Sequence, residues 1–307
     1  MDIAFISHPD CELHDTGAGH PESPARMRAV LDYLPTREVW QRLTQHEAPL
    51  ASREQLYRVH DRGYVDAVIA AEPTEGRVYL DPDTSMAPHS LNAALRAAGS
   101  VVKGVDLVMS GEADRVFCCV RPCGHHAEVA RPMGFCMFNN VAVGARYASD
   151  RYGLKRVAIV DFDVHHGNGT EDIFSSDPSV FFSSTFQHPF YPGSGADTRS
   201  DHIVNVPLPA GSGSEQFRAA FEERILPALH SFEPELLFIS AGFDAHEDDP
   251  LAQLCLLEED FAWATGKVKE VAEVHARGRM ISVLEGGYSL PALARCVEAH
   301  LQAMLQA

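Results

Sequence analysis

The segment 161–169, DFDVHHGNG, contains the residue types best suited to chemistry in this chain. It follows the apolar run 157–160, which is typical of a buried strand. Because side chains alternate along a strand, Asp161, Asp163 and His165 should point to the same side. Carboxylates and a neutral imidazole are ligands for divalent metal ions. The spacing therefore predicts a metal site at the end of this strand.

A second segment offers a further metal ligand. Asp244 follows the apolar run 236–240, as Asp163 and His165 follow theirs. An aspartate after a strand is on its own more often a helix cap. In an open α/β sheet, however, ligands bind at the carboxyl ends of the strands. Asp244 would then complete an Asp/His/Asp set and leave one coordination position open, as catalytic metal sites do.

Two more loops after predicted strands carry groups able to move or hold protons. His125 and His126 follow the run 115–120, and adjacent histidines could act as a general base beside an imidazole of different charge. Tyr288 follows the run 280–284 and two glycines, and its phenol could donate a hydrogen bond to an oxyanion. Gly134 and Phe135 could line a tunnel. Each motif alone fits a structural role equally well or better, but together they indicate one active site.

The elements that would position these residues alternate along the chain. The alternation predicts a mostly parallel sheet with helices on both faces, with all strand carboxyl ends at one edge. No linker or low-complexity tract divides the chain, so we expect a single domain over residues 1–307. Strands are predicted at 3–6, 115–120, 156–161, 179–184, 202–206, 235–240 and 279–284, and helices at 24–33, 52–70, 89–109, 139–149, 215–231, 258–276 and 290–305.

Composition narrows the function classes. The net charge is -18, from 25 Lys+Arg and 43 Asp+Glu, and no basic cluster suited to nucleic acid is present. The acidic balance favours cationic partners. No apolar run approaches the roughly 18 residues that cross a bilayer, so no membrane span is expected. The amino terminus lacks a signal-peptide pattern, and the 7 cysteines show no repeated CxxC spacing, so we expect a reducing, cytoplasmic location.

Taken in order, the motifs resemble those of the histone deacetylase family, within the wider arginase–deacetylase superfamily. They extend from near the start of the chain to near its end, and Asn168 with the FYPG sequence is similar to the class II branch and its bacterial relatives. The matching segments are 20–26 (HPESPAR), 124–126 (GHH), 134–136 (GFC), 161–169 (DFDVHHGNG), 184–193 (STFQHPFYPG), 241–244 (AGFD) and 285–288 (EGGY).

The resemblance implies a role for each matching position. It implies a zinc-dependent deacetylase in which His126 is the general base and later the acid, His125 is its electrostatic partner, and Tyr288 polarises the amide carbonyl. Further implied roles are zinc binding by Asp163, His165 and Asp244; potassium binding by Asp161, Ser184 and Thr185; a substrate tunnel formed by Gly134 with Phe135 and Phe186; a substrate rim at Asp83 and Leu251; and supporting positions at Asn168, beside His126, and Arg26, at an inner cavity.

The sequence leaves two substrate classes open. Leu251 stands where polyamine-selective relatives carry a glutamate, which favours the apolar stem of an acyl-lysine in a protein or peptide. Asp83 and the acidic composition keep an acetylated polyamine as the alternative. A binuclear manganese hydrolase of the arginase type is disfavoured because further carboxylates beside the motifs are missing. A non-catalytic acyl-lysine reader is disfavoured because His126 and Tyr288 are present. The metal also stays open, since Fe²⁺ could replace Zn²⁺ in a set of carboxylate and imidazole ligands.

Overall fold

The computed structural model describes residues 3–306 and contains one large parallel sheet. The sheet has eight strands in the order β2-β1-β5-β10-β9-β6-β7-β8, and a separate antiparallel hairpin joins β3 to β4. The strands are β1 Ile3–Ser7, β2 Leu43–Glu47, β3 Val78–Asp81, β4 Thr84–Met86, β5 Arg115–Cys118, β6 Val157–Asp161, β7 Val180–Gln187, β8 Ile203–Leu208, β9 Leu236–Ala241 and β10 Met280–Leu284.

Helices connect the strands and cover the sheet. They are α1 Pro24–Tyr33, α2 Arg53–Leu56, α3 Arg62–Ala70, α4 Ser90–Ser110, α5 Asn140–Tyr152, α6 Asn168–Phe174, α7 Ser214–Ala220, α8 Leu226–Phe232, α9 Glu258–His275 and α10 Leu290–Leu305. Short 3-10 turns occupy Pro9–Glu12, Leu34–Thr36 and Glu38–Arg42. No helix among residues 3–306 combines the length and the apolar character needed to cross a membrane.

Neighbouring residues of β5 show how the sheet is covered. Val116 packs against Gly104 of α4, whereas the ring of Phe117 lies 5.6 Å from that of His300 in α10. Because successive strand side chains point to opposite faces, α4 and α10 lie on opposite sides of the sheet. The central strands are therefore buried on both faces, which explains their continuous apolar sequences. The predicted parallel sheet with helices on both faces is confirmed.

The strand register brings the predicted site segments to one edge. At the carboxyl end of β6, Asp161 is aligned with Ser184 of β7 on one side and with Ser240 of β9 on the other. Leu284, the last residue of β10, is aligned with Ala241 of β9. The loops after β6, β9 and β10 consequently start side by side.

Several elements differ from the sequence prediction. The edge strand β2 and the β3–β4 hairpin were not predicted, because the partly exposed β2 and β3 lack an apolar run and β4 is a buried strand of only three residues. The helix expected at 52–70 is two helices, since Asp61 caps a new start by accepting a hydrogen bond from the Tyr64 amide. The helix expected at 215–231 contains a π-helical turn at Phe221–Ile225, just before Pro227, which cannot donate a helical hydrogen bond. Helix α6 was also missed.

Candidate active site

Asp163, His165 and Asp244 converge at the carboxyl edge of the sheet. One potential ligand atom from each lies within 4.8 Å of the other two. The Nδ1 atom of His165 is 3.0 Å from Oδ1 of Asp163 and 3.2 Å from Oδ2 of Asp244. Both aspartates are fully buried, and the His165 side chain is 12% exposed. The Asp/His/Asp set that the sequence predicts is therefore assembled.

The cluster fits a divalent cation in its chemistry. Two buried carboxylates and one imidazole are a hard-to-borderline donor set. Burial would lower the pKa of His165, but hydrogen bonds to Asp163 and Asp244 raise it to about 10. A cation would take the place of that proton. Space for it also depends on Gly286, since a side chain there would lie 2.1 Å from Oδ2 of Asp244.

Backbone amides hold the two carboxylates in place. The Gly286 amide donates to Oδ2 of Asp163 at 2.8 Å, and the His165 amide donates to its Oδ1 at 2.8 Å. The Val164 amide donates to Oδ1 of Asp244 at 2.9 Å. These donors come from the loops after β6 and β10, so the sheet register fixes the ligand geometry.

The two adjacent histidines have opposite electrostatic environments. Their rings lie 4.0 Å apart between centroids. Burial would lower the pKa of His125, but Asp161 and Asp163 raise it well above its usual value, and Nδ1 of His125 is 2.9 Å from Oδ2 of Asp161. Burial and the neighbouring His125 and His165 lower the pKa of His126 well below its usual value. One imidazole is thus held charged beside one held neutral.

The neighbours of Asn168 define which nitrogen of His126 carries the proton. The Asn168 amide nitrogen donates to Oε1 of Glu128 at 2.8 Å, which turns its oxygen toward His126. Nδ1 of His126 lies 2.7 Å from that oxygen and must donate to it, because an amide oxygen only accepts. The lone pair is therefore on Nε2. This is the arrangement that a general base requires.

The loop that leads to Tyr288 is held in place by the buried side chain of Arg26. Nε of Arg26 donates to the Gly287 carbonyl at 2.7 Å, another nitrogen donates to the Glu285 carbonyl, and the guanidinium lies 5.1 Å from the Tyr288 ring centroid. Oε1 of Glu22 accepts from Arg26 at 3.2 Å. Arg26, assigned by resemblance to an inner cavity, lies beneath the tyrosine loop and supports it.

A cavity of about 130 Å³ opens above the cluster. Phe135 and Tyr288 stand on its walls with their rings edge to face at 6.3 Å. Asp83 is at the rim and accepts a hydrogen bond from the Gly134 amide at 3.0 Å. The lining residues are Asp83, Cys123, His125, His126, Gly134, Phe135, His165, Tyr191, Leu251, Gly286 and Tyr288.

Phe186 does not stand at this cavity, contrary to the sequence expectation. Strand β7 continues to Gln187, so Phe186 is still a strand residue, buried with its ring 4.7 Å from that of His166. The aromatic groups come from the loop that follows. Phe190 stacks on His165 at 5.4 Å, and the edge of Tyr191 meets His126 at 5.2 Å.

The residues expected to bind potassium lie next to one another. Asp161 and Ser184 are aligned on β6 and β7, and Thr185 follows, all three buried. Oδ1 of Asp161 accepts from the Asp163 amide at 3.1 Å. The hydroxyl oxygen of Ser184 is buried without a hydrogen-bond partner among residues 3–306. These carboxylate and hydroxyl oxygens are donors that suit a hard cation.

Asp249 supports the site but was not identified from the sequence. Its Oδ2 accepts from the Tyr288 amide at 2.7 Å, and its Oδ1 accepts from the Leu251 amide at 3.0 Å. One buried carboxylate therefore fixes both the tyrosine loop and the rim residue. His20 was also missed; its ring packs against Phe135 at 4.7 Å. Only the Asp-Pro pair before Leu251 could have indicated a turn here.

Comparisons with known proteins establish the family of this chain. Residues 20–304 match the sequence model of the histone deacetylase domain, and the chain belongs to the histone deacetylase family. It is 39% identical to the histone deacetylase-like amidohydrolase of Pseudomonas aeruginosa, over 89% of this chain and 73% of that protein. It is 38% identical to the polyamine deacetylase HDAC10 of Mus musculus, over 97% of this chain but 45% of that protein.

A solved structure supports the same assignment. The crystal structure of the HDA15 HD domain superposes with a TM-score of 0.93 at 35% identity, covering 99% of this chain and 88% of that chain. The relatives described by activity are deacetylases or amidohydrolases, which supports an enzymatic function for this chain.

Proposed function

We propose that this protein is a zinc-dependent amidohydrolase that removes acetyl or related acyl groups from the ε-amine of lysine in a protein or peptide. The observation that carries the proposal is the position of His126. Its neutral imidazole has a free Nε2 and lines one small cavity together with Tyr288 and with His165 of the ligand cluster. An amide is a poor electrophile with a poor leaving group, so hydrolysis needs a base, an oxyanion donor and an acid in one place.

The chain's own residues can supply these three groups. Zinc held by Asp163, His165 and Asp244 would contribute Lewis acidity. Nε2 of His126 takes a proton from the attacking water and later returns it to the departing amine. The charged His125 stays paired with Asp161 and keeps the pKa of His126 low. The Tyr288 hydroxyl donates to the developing oxyanion, which is consistent with a pKa raised well above its usual value by burial.

We also propose that potassium binds at Asp161, Ser184 and Thr185, supported by the unpartnered Ser184 hydroxyl among the described residues. A cation held by these residues would share Asp161 with His125, whose Nδ1 contacts Oδ2 of that carboxylate. It would therefore moderate the charge that Asp161 presents to His125. Titrating potassium into zinc-loaded protein and following turnover tests this site.

An acetylated polyamine is the second candidate substrate. Asp83 at the rim and the net charge of -18 favour a cationic molecule, and one relative is a polyamine deacetylase. Leu251 on the same cavity favours the uncharged stem of acyl-lysine instead.

The deciding experiment is kcat/KM of the zinc-loaded protein on an acetyl-lysine peptide and on N-acetylputrescine, with and without a chelator. We expect a preference for the peptide and loss of turnover with chelator. A polyamine preference would transfer the assignment to the second candidate. Turnover that resists exhaustive metal removal would contradict zinc dependence.

A further inference from the structure

A second group of metal-ligating side chains lies beside the catalytic cluster. Cys123, Cys136 and Glu285 are all buried, and one ligand atom of each lies within 4.8 Å of the other two. The two sulfur atoms are 3.3 Å apart, and both cysteines are free. None of these residues belongs to the Asp163, His165 and Asp244 set.

Glu285 provides an independent indication that a ligand binds here. Its Oε2 accepts from the amides of Gly124 and His125 at 2.7 and 3.2 Å. Its Oε1 is buried and has no hydrogen-bond partner in the described part of the chain. A buried carboxylate oxygen without a partner is energetically unfavourable. A cation between this oxygen and the two sulfur atoms would satisfy it.

Access to the group is provided by Cys123. This residue is one of those that line the substrate cavity, as are His125 and Gly286. A small cation entering the cavity can therefore reach the first sulfur without opening the fold. Cys136 and Glu285 lie behind it as the second and third ligands.

We propose that Cys123, Cys136 and Glu285 form a second cation site for a soft divalent metal, either zinc in excess of the catalytic equivalent or its congener cadmium. Thiolate sulfur selects such ions, and three protein ligands leave a fourth position toward the cavity. Binding exchanges one M²⁺ for the two thiol protons, which leave as 2 H⁺, so the buried region gains no net charge.

Occupation of this site should affect turnover. Cys123 shares the cavity with Tyr288, and Glu285 is three residues before that tyrosine. A metal held between them would occupy part of the cavity wall and fix the tyrosine loop. Excess soft metal should therefore inhibit the enzyme through residues that are not catalytic ligands.

The test is a cadmium titration of zinc-loaded protein in the presence of a phosphine reductant. The readouts are metal content per chain and the ultraviolet charge-transfer absorption of cadmium–thiolate bonds. We expect a second metal equivalent with this absorption. The Cys123→Ser and Cys136→Ser variants should each lose the second metal equivalent and the absorption. Cys255→Ser, which changes an exposed cysteine, should keep both.

The absorption separates this site from the catalytic one, because Asp163, His165 and Asp244 contain no sulfur. Cadmium that merely replaces zinc there gives no such band, and the readout does not require the proposed deacylase activity. A zinc-loaded protein that takes up no second equivalent would overturn the proposal. So would a band that persists in folded Cys123→Ser and Cys136→Ser proteins, with folding verified by circular dichroism.

Discussion

The floor and the rim of the active site are built differently. The floor consists of Asp163, His165 and Asp244, which lie in the loops directly after strands. Backbone amides hold its two carboxylates. The rim, Asp83, Tyr191 and Leu251, stands on loops, and the Tyr191 side chain is 37% exposed. The sheet register fixes the floor, whereas contacts between distant loops fix the rim. We therefore expect floor substitutions to abolish chemistry and rim substitutions to redirect it.

The largest effect is expected from Asp244→Ala. The change removes one of the three proposed metal ligands and the acceptor for the Val164 amide. We expect zinc content to fall well below one per chain and turnover to fall below detection, measured by elemental analysis and a peptide assay. The matched control is Asp248→Ala, which removes an exposed carboxylate paired with Arg295 at 3.4 Å and should retain zinc. Full zinc content in folded Asp244→Ala would contradict the assignment.

The next largest effect is expected from Tyr288→Phe, on the wall of the cavity. Loss of one oxyanion donor of this type lowers kcat by about 10²–10³. The phenyl ring should still pack against Phe135 and Arg26, so KM and the melting temperature should change little. Tyr79→Phe, on a residue that is 67% exposed, serves as the control. A near-normal kcat would remove Tyr288 from the mechanism.

The same contrast explains which features the sequence could predict. Apolar runs mark the buried strands, and alternation then puts Asp163, His165 and Asp244 at one edge. The rim depends on contacts between distant segments, such as the Asp83 carboxylate with the Gly134 amide, 51 residues apart. Phe186 was misplaced because β7 is three residues longer than its apolar pattern indicates. Asp249 has only the weak turn signal of its Asp-Pro pair, and the pairing of Cys123 with Cys136 has no local signal.

Glu22 tests how much the buried ion network that includes Arg26, beneath the tyrosine loop, stabilises the fold. Burial would raise the pKa of Glu22, but Arg121, His14 and Arg26 lower it from 4.5 to about 2. A lowered pKa in the folded state stabilises the protein above pH 4.5, and this contribution disappears as pH falls toward about 2. The shift corresponds to about 3 kcal/mol.

We expect Glu22→Gln to lower the free energy of unfolding at neutral pH by roughly that amount and to flatten its decline in acid. Urea titrations at several pH values measure both effects, with the exposed Glu75→Gln as the control. If Glu22→Gln and the wild type lose stability in parallel between pH 4.5 and 2, the network is not the cause.

The smallest and most selective effect is expected at the rim. Leu251→Glu places a carboxylate on the cavity wall, where it can attract the free amine of an acetylated polyamine. A partly exposed ion pair contributes at most ~1 kcal/mol, so the ratio of kcat/KM for N-acetylputrescine to that for peptide should rise about fivefold. Leu251→Gln introduces a side chain of nearly the same shape as glutamate but without its charge, and it should leave the ratio close to that of the wild type. An equal rise in both variants would mean that size at position 251, not charge, selects the substrate.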